Sequence, residues 1–316
     1  MKQAYLIIAH NKIEQLKFLI SLLDYEKHDF YILFDQKARI TSNQKNELKQ
    51  VLTKSNMFFT KEIPIYWGDY SLVEAELELF ETASKQDEYS MYHLLSGVDL
   101  PLDTAENIFN FFDSKKEYNF LTMVSDTLYR NNNIYERVAY QTFLPNLSSR
   151  SVNNLFFKKL ISLYRKIEVG VQRFFKIDLF KKYHLDLKYA SNWCSLNQKG
   201  VNKILEEKEL IKTIFKRTKV SDELFVPTIL EKHKLLETIY SSNPTNDYPT
   251  DFQGNLRYIN WWDGSPHTWT SSSHDIEQLK YGKKHGHLFS RKFDLEKYPE
   301  MTELIEKIIH MKVEEL

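Results

Sequence analysis

The sequence predicts an α/β protein: a mixed sheet flanked by helices, with one basic helical insertion. Three observations predict it. Short apolar runs alternate with amphipathic stretches through residues 4–95, the pattern of a doubly wound nucleotide-binding half. Apolar residues make up 42% and charged residues 27% of the 316, as in a folded globular chain. Residues 148–183 then break the alternation with a basic, aromatic-rich stretch of helical period.

The apolar run 4–9 reads as a strand, 12–23 as an amphipathic helix, and 30–34 as a second strand ending at Asp35. A strand, helix and strand within some 30 residues imply parallel pairing, because parallel strands need a long crossover. A helix is expected over 42–54, an extended segment at 63–67, and a helix over 71–84, where Leu72, Val73, Ala75, Leu79 and Phe80 recur. Residues 91–95 read as a buried strand leading into the loop Ser96-Gly97-Val98-Asp99-Leu100-Pro101. Further on, a strand is expected over 189–196 and helices over 199–206 and 222–232. Residues 243–255, with Pro244, Pro249 and Gly254, suit a long surface loop. The expected organisation is one domain over 1–316, with a nucleotide-binding half at 1–125, the basic helical region at 148–185 and a C-terminal half at 186–316.

Lys plus Arg equals Asp plus Glu at 43 each, so no global field favours nucleic acid, and a basic site has to be local. The single cysteine, Cys194, excludes an internal disulfide and a multi-cysteine zinc site, which fits a reducing compartment. It reads as a small buried residue. The apolar run at the N-terminus is shorter than a signal-peptide core, and no stretch approaches the ~20 apolar residues that span a bilayer. A cytoplasmic protein is expected. In residues 148–183, nine basic residues face only Glu168 and Asp178. Two readings stand: a core-packing helix with a solvated basic face, or a helix lying on an anionic membrane at its inner face.

The common catalytic signatures are missing: no GxGxxG, P-loop, GxSxG or HExxH occurs, and no Asp-x-Asp pair to hold a divalent metal. Four ordered segments instead resemble the family of core-2/I-branching β-1,6-N-acetylglucosaminyltransferases and peptide O-xylosyltransferases, in its bacterial form. They are Ala4-Tyr5-Leu6-Ile7-Ile8-Ala9-His10-Asn11 with Phe34-Asp35-Gln36-Lys37; Ile65-Tyr66-Trp67-Gly68-Asp69-Tyr70-Ser71-Leu72-Val73 with Tyr92-His93-Leu94-Leu95-Ser96-Gly97-Val98-Asp99-Leu100-Pro101-Leu102; Ala190-Ser191-Asn192-Trp193-Cys194-Ser195-Leu196 with Ser221-Asp222-Glu223-Leu224-Phe225; and Leu256-Arg257-Tyr258-Ile259-Asn260-Trp261 with Leu288-Phe289-Ser290-Arg291-Lys292-Phe293-Asp294.

The resemblance implies a GT-A type fold and an inverting, metal-independent glycosyltransferase. Its co-substrate would be a UDP-sugar, with N-acetylglucosamine foremost, and its acceptor a glycan or lipid-linked glycan. A general base must take the acceptor proton, and Glu223 holds that position in the motif. Read without the motif, Glu223 is a solvated residue in the first turn of a helix that Ser221 or Asp222 caps. Lys292 and Arg291 would stabilise the departing diphosphate. His267 stands where the family carries Lys or Arg, and Arg257 or Arg291 could compensate for it. His10, Asn11 and Asp35, at carboxyl ends of strands, are expected at the nucleotide. Ser96, Gly97, Asp99, Trp193, Arg137 and Trp261 are expected at the donor or acceptor sugar, with Arg130 near the acceptor. A simple turn at Asp99, and core packing for Trp193, Trp261, Trp262 and Trp269, are the plainer readings of those residues. The competing class is a non-catalytic carbohydrate-binding protein on the same fold.

Overall fold

The computed structural model describes residues 1–143, 152, 154–218, 220–264 and 266–315, without the side chains of residues 136, 137 and 313. The N-terminal half runs β1 (Gln3–Ala9), α1 (Ile13–Leu22), β2 (His28–Phe34), α2 (Ser42–Val51), β3 (Asn56–Phe59), α3 (Tyr70–Gln86), β4 (Met91–Ser96), β5 (Leu100–Pro101) and α4 (Ala105–Asp113). Then follow α5 (Asp126–Asn131), α6 (Ile134–Val138), α7 (Leu155–Phe174) and α8 (Leu179–Lys182). The C-terminal half holds β6 (Ser195–Leu196), α9 (Gln198–Glu206), α10 (Lys208–Phe215), α11 (Phe225–Lys232), β7 (Arg257–Ile259), α12 (Ser273–Lys284), β8 (Phe289–Arg291) and α13 (Met301–His310).

The main sheet has the order β3-β2-β1-β4-β6; β1 pairs in parallel with β2 and β4, β2 with β3, and β6 closes the edge antiparallel to β4. All seven residues of β1 and of β2 are buried, as expected of central strands covered on both faces. Alternation divides them between two cores. Leu6, Ile8, Tyr31 and Leu33 pack with α3, α9 and α11, whereas Tyr5, Ile7, Phe30 and Ile32 pack with α1, α12 and α13. A second sheet, β5-β8-β7, carries the C-terminal motif, with Ile259 in register with Arg291.

The structure corrects four expectations. Residues 63–67 form no strand; Ile63 makes a single bridge to Asp35, and the third parallel strand is β3, whose four residues show too short an alternation to read. Of 189–196 only Ser195–Leu196 is strand, because the backbone before it bonds to scattered partners in place of one neighbouring strand: Ala190 N donates to Glu223 O (3.1 Å), Ser191 N to Thr122 O (3.0 Å), and Asn255 Nδ2 to Trp193 O (2.8 Å). Loop 243–255 is irregular as expected, yet Thr245, Gln253 and Asn255 are buried. Helix α11 starts at Phe225, so Glu223 lies in the preceding turn. Neither Ser221 nor Asp222 caps it with a side chain: Leu224 and Phe225 donate to the Ser221 carbonyl.

The basic region also departs from its core-packing reading. Helix α7 carries it, and Phe156, Leu163 and Phe174 are exposed rather than buried. Residues 148–151 and 153 of that region lie outside the described residues. Among the described residues no helix is long and apolar enough to cross a membrane.

Candidate active site

The carboxyl ends of β1, β2 and β4 converge, and the loops that leave them are tied to the C-terminal motif. Asp35, nearly fully buried after β2, accepts from the backbone N–H groups of Lys37 (3.1 Å) and Ile65 (3.2 Å) and pairs with His10 Nδ1 (3.1 Å). Burial alone would raise its pKa; those two amides, then Lys37 and His10, outweigh burial and hold it below the ordinary range. His10 itself is exposed, as is Asn11. The structure thus brings His10 and Asp35 together at the carboxyl ends of β1 and β2.

Gln15 of α1 is the connector between halves. Its Nε2 donates to the carbonyls of Gly97 (3.4 Å) and Phe293 (3.1 Å), and its Oε1 accepts from Leu295 N (3.0 Å). Lys12 pairs with Asp294, and Phe293 N donates to Val98 O (2.9 Å). The Ser96–Asp99 loop is a tight turn: the Asp99 carboxylate accepts from Ser96 N (2.8 Å) and Ser96 Oγ (2.9 Å), and it pairs with Arg291 (3.5 Å). Arg291 in turn lies over the Trp193 ring at 4.3 Å. Asp99, Arg291 and Trp193, predicted from three separate segments, therefore form one stack in which Asp99 orients a buried guanidinium. Burial lowers the Arg291 pKa and Asp99 offsets part of that shift.

Lys292 follows directly, partly exposed and without a carboxylate partner among the described residues. The segment carrying His267 runs beside it: Lys292 N donates to His267 O (3.4 Å) and Trp269 N to Lys292 O (3.0 Å). His267 and Lys292, both expected at the diphosphate, are thus neighbours in the backbone. The His267 ring, however, is engaged with Asp275 (3.0 Å). Arg257 is not available to compensate for it. It is fully buried and donates to Asn255 O, Leu94 O, Cys194 O and Ser195 Oγ at 2.5 to 3.1 Å. Burial lowers its pKa to about 10. It holds the junction of β4, β6 and β7 together and has no face toward solvent.

Glu223 lines a pocket of about 100 Å³ with Thr122, Tyr189, Ser191, Asp247 and Trp261. Its carbonyl accepts from Ala190 N (3.1 Å), which fixes the turn against the 189–196 segment. Ile259, on the pocket wall, is the register partner of Arg291, so a single strand pair joins the carboxylate pocket to the cationic loop. Trp261, expected at the sugar, belongs to this pocket. Trp269 is core: fully buried, stacked on Tyr258 (6.0 Å, 8°), with its N–H donated to Ser290 Oγ (2.8 Å). Trp262 packs against Tyr258 (5.5 Å). Leu128 of α5 and Asn132, just after it, reach the pocket, while Arg130 on that helix is exposed. Arg137 sits in α6, and its side chain lies outside the described residues. Cys194 is buried, and burial pushes its thiol up to about 12, so it is inert.

Sequence reasoning missed Glu76. This residue of α3 is fully buried, neither carboxyl oxygen has a hydrogen bond of ordinary geometry among the described residues, and Asn192, Asp222 and Glu223 are the polar groups that act on it. Burial, then Asp222, raises its pKa well above the ordinary carboxylate value; burial raises that of Asp222 to about 6. A signal was present, since Glu76 falls on the Val73, Leu77, Phe80 and Ala83 stripe, where a helix faces its core. Asp247 was missed as well; it lies in the irregular 243–255 loop, and burial, then Asp251, raises its pKa. Among the described residues, no group of three or more His, Cys, Asp or Glu is arranged to hold a metal ion.

The structure thus places a carboxylate pocket beside a cationic loop at the strand ends of a mixed α/β sheet. The family model described as "Core-2/I-Branching enzyme" matches residues 3–283, and the chain belongs to that family. Xylosyltransferase 2 of Rattus norvegicus is 28% identical over 123 residues, which is 37% of this chain and only 14% of that protein's length. Among solved structures, mouse xyloside xylosyltransferase 1 superposes with a TM-score of 0.35 at 10% identity, over 74% of this chain and 83% of that one. Core-mannan synthase A of Aspergillus fumigatus gives 0.35 at 12% identity, over 72% and 69%.

Proposed function

We propose that this chain is a bacterial, metal-independent, inverting glycosyltransferase that moves a sugar from a UDP-sugar to a glycan hydroxyl. Glu223 accepts the proton of the acceptor hydroxyl as that oxygen attacks the anomeric carbon. The bond from that carbon to the diphosphate oxygen breaks, and UDP leaves with the electron pair. Lys292 and Arg291 stabilise the charge that develops on the diphosphate, at a position where fixed cations cost no reorganisation. The His10–Asp35 pair holds the nucleotide, and Trp261 offers an apolar face to a sugar ring. One observation carries the reading: Glu223 and Trp261 line one pocket, and its wall residue Ile259 pairs with Arg291, next to a lysine that has no carboxylate partner among the described residues.

N-acetylglucosamine is the donor sugar we propose first. UDP-xylose is the second reading, favoured by the match to rat xylosyltransferase 2. We place the reaction in capsule, exopolysaccharide or cell-surface glycan synthesis, at the inner face of the membrane, on a lipid-linked acceptor. The test is a screen of UDP-sugars for thermal stabilisation and slow hydrolysis, followed by Glu223→Gln. That variant is expected to keep UDP binding and lose transfer. Full transfer by Glu223→Gln, or activity that EDTA abolishes and a divalent metal restores, overturns the mechanism. Sugar binding with no turnover on any donor selects a carbohydrate-binding protein instead.

A further inference from the structure

Helix α7 is amphipathic with its faces reversed. Phe156, Leu160, Leu163, Ile167, Val171 and Phe174 recur at steps of four, three, four, four and three, which places them on one face. That face points to solvent, with exposures from 50% at Val171 to 82% at Phe174. The opposite face, which meets the protein, buries one apolar residue, Ile161, beside two polar ones, Glu168 and Gln172. Buried Glu168 accepts from Phe143 N (2.7 Å), Tyr164 Oη (2.9 Å) and Arg165 Nη1 (2.7 Å). Gln172 exchanges two hydrogen bonds of 2.8 Å with the Gln141 backbone. The helix is therefore anchored by hydrogen bonds and holds its apolar stripe outward, the reverse of a surface helix that serves the core. A contiguous apolar stripe of this extent marks an interaction surface.

Charge identifies the partner. Lys159, Lys166 and Arg173 recur every seven residues along one border of the stripe. The two acids of the region are engaged elsewhere: Glu168 with Arg165, and Asp178 with Tyr135 (2.6 Å) and Lys181 (3.6 Å). A second copy would bring like charges together with no facing carboxylate to pair them. We propose that α7 lies in the plane of an anionic lipid surface, its stripe inserted at the acyl boundary and Lys159, Lys166 and Arg173 at headgroup level. The segment that holds its polar face, from Gln141 to Phe143, follows directly on α5 and α6, and α5 lines the Glu223 pocket. Docking then presents that pocket to a lipid-linked acceptor. This last step rests on the transferase reading, whereas docking itself does not.

The full chain is sedimented with vesicles of phosphatidylcholine alone or containing about one-third phosphatidylglycerol. It is expected to bind only the anionic vesicles, and less at high salt. Each neutralised lysine weakens binding about fivefold, so the double variant Lys159→Gln, Lys166→Gln loses about 25-fold. Leu163→Ser with Ile167→Ser loses at least about tenfold while melting as the wild type does, since both side chains face outward. Failure to bind anionic vesicles, or undiminished binding by both double variants, overturns the proposal. So does a dimer in light scattering that the Leu163/Ile167 pair abolishes, which would identify a second copy as the occupant. Glu223→Gln is expected to bind vesicles as the wild type does. Vesicle binding that follows the α7 variants in a chain that transfers no sugar leaves docking in place and removes only the transferase reading.

Discussion

Replacing Glu76 by glutamine is expected to remove a pH-dependent cost from the fold. Glu76 is fully buried on α3, and burial, then the nearby Asp222, holds its carboxyl well above the ordinary range. The folded pKa exceeds the unfolded one, so the native chain keeps a proton that the unfolded chain releases. Stability from this group is fully present below the unfolded pKa and is lost as pH rises toward the folded pKa, at about 1.4 kcal/mol per pH unit. Asp222, raised to about 6 by burial, adds a second loss of the same sign between its ordinary value and about 6. Such slopes are large against a total stability of about 5–15 kcal/mol. Glutamine has nearly the same shape and no proton to lose. Glu76→Gln should therefore gain on the wild type with each pH unit above the ordinary carboxylate pKa, with little difference below it. Urea midpoints and m-values at a series of pH values from about 4 to 8, at constant ionic strength, measure this directly. A midpoint difference that does not change with pH would refute the argument, because it would mean that Glu76 is not the group holding the proton.

Lys292→Ala should lower kcat about 100- to 1,000-fold, with an unchanged melting temperature, if its ammonium meets the leaving diphosphate; steady-state kinetics on the donor that the screen identifies would check it. Arg257→Met should cost about 3 kcal/mol or more, because it strips donors from the buried carbonyls of Leu94, Cys194 and Asn255; chemical denaturation reads that loss. Gly282→Ala should be destabilising even though alanine is the better helix former. A Cβ at this position in α12 would stand 2.7 Å from the Tyr258 ring, and overpacking of that kind costs about 1–3 kcal/mol. A thermal melt at or above that of the wild type would show that the ring moves aside freely.

Much of the N-terminal half was legible because hydrophobic periodicity is local. Strands β1, β2 and β4 and helices α1 and α3 lie within a few residues of their expected bounds, since central strands and amphipathic helices announce themselves by run length and spacing. The motifs likewise named residues that the proposed site draws on, from Asp35 to Glu223, Trp261 and Lys292. What failed was non-local. Residues 189–196 look like a strand, but their backbone bonds to Glu223, Thr122 and the Asn255 side chain, each more than thirty positions away in the chain. Asp99 reads as a sugar contact or a turn; only the fold shows its carboxylate committed to Ser96 and Arg291.

The amino-acid sequence by itself determined the alternation of strands and helices, the neutral total of 43 against 43 charges, the family's motifs, and the amphipathic period of residues 155–174. Tertiary structure alone decided which way each of these faces. A period states that a helix has two faces and is silent on which one meets the protein: for α3 the core face holds a glutamic acid, and for α7 the apolar face looks outward. Burial and hydrogen-bond partners come from segments far apart in the chain, and they are what make Arg257 a structural cation, Arg291 an oriented one, and Glu76 a carboxyl that keeps its proton.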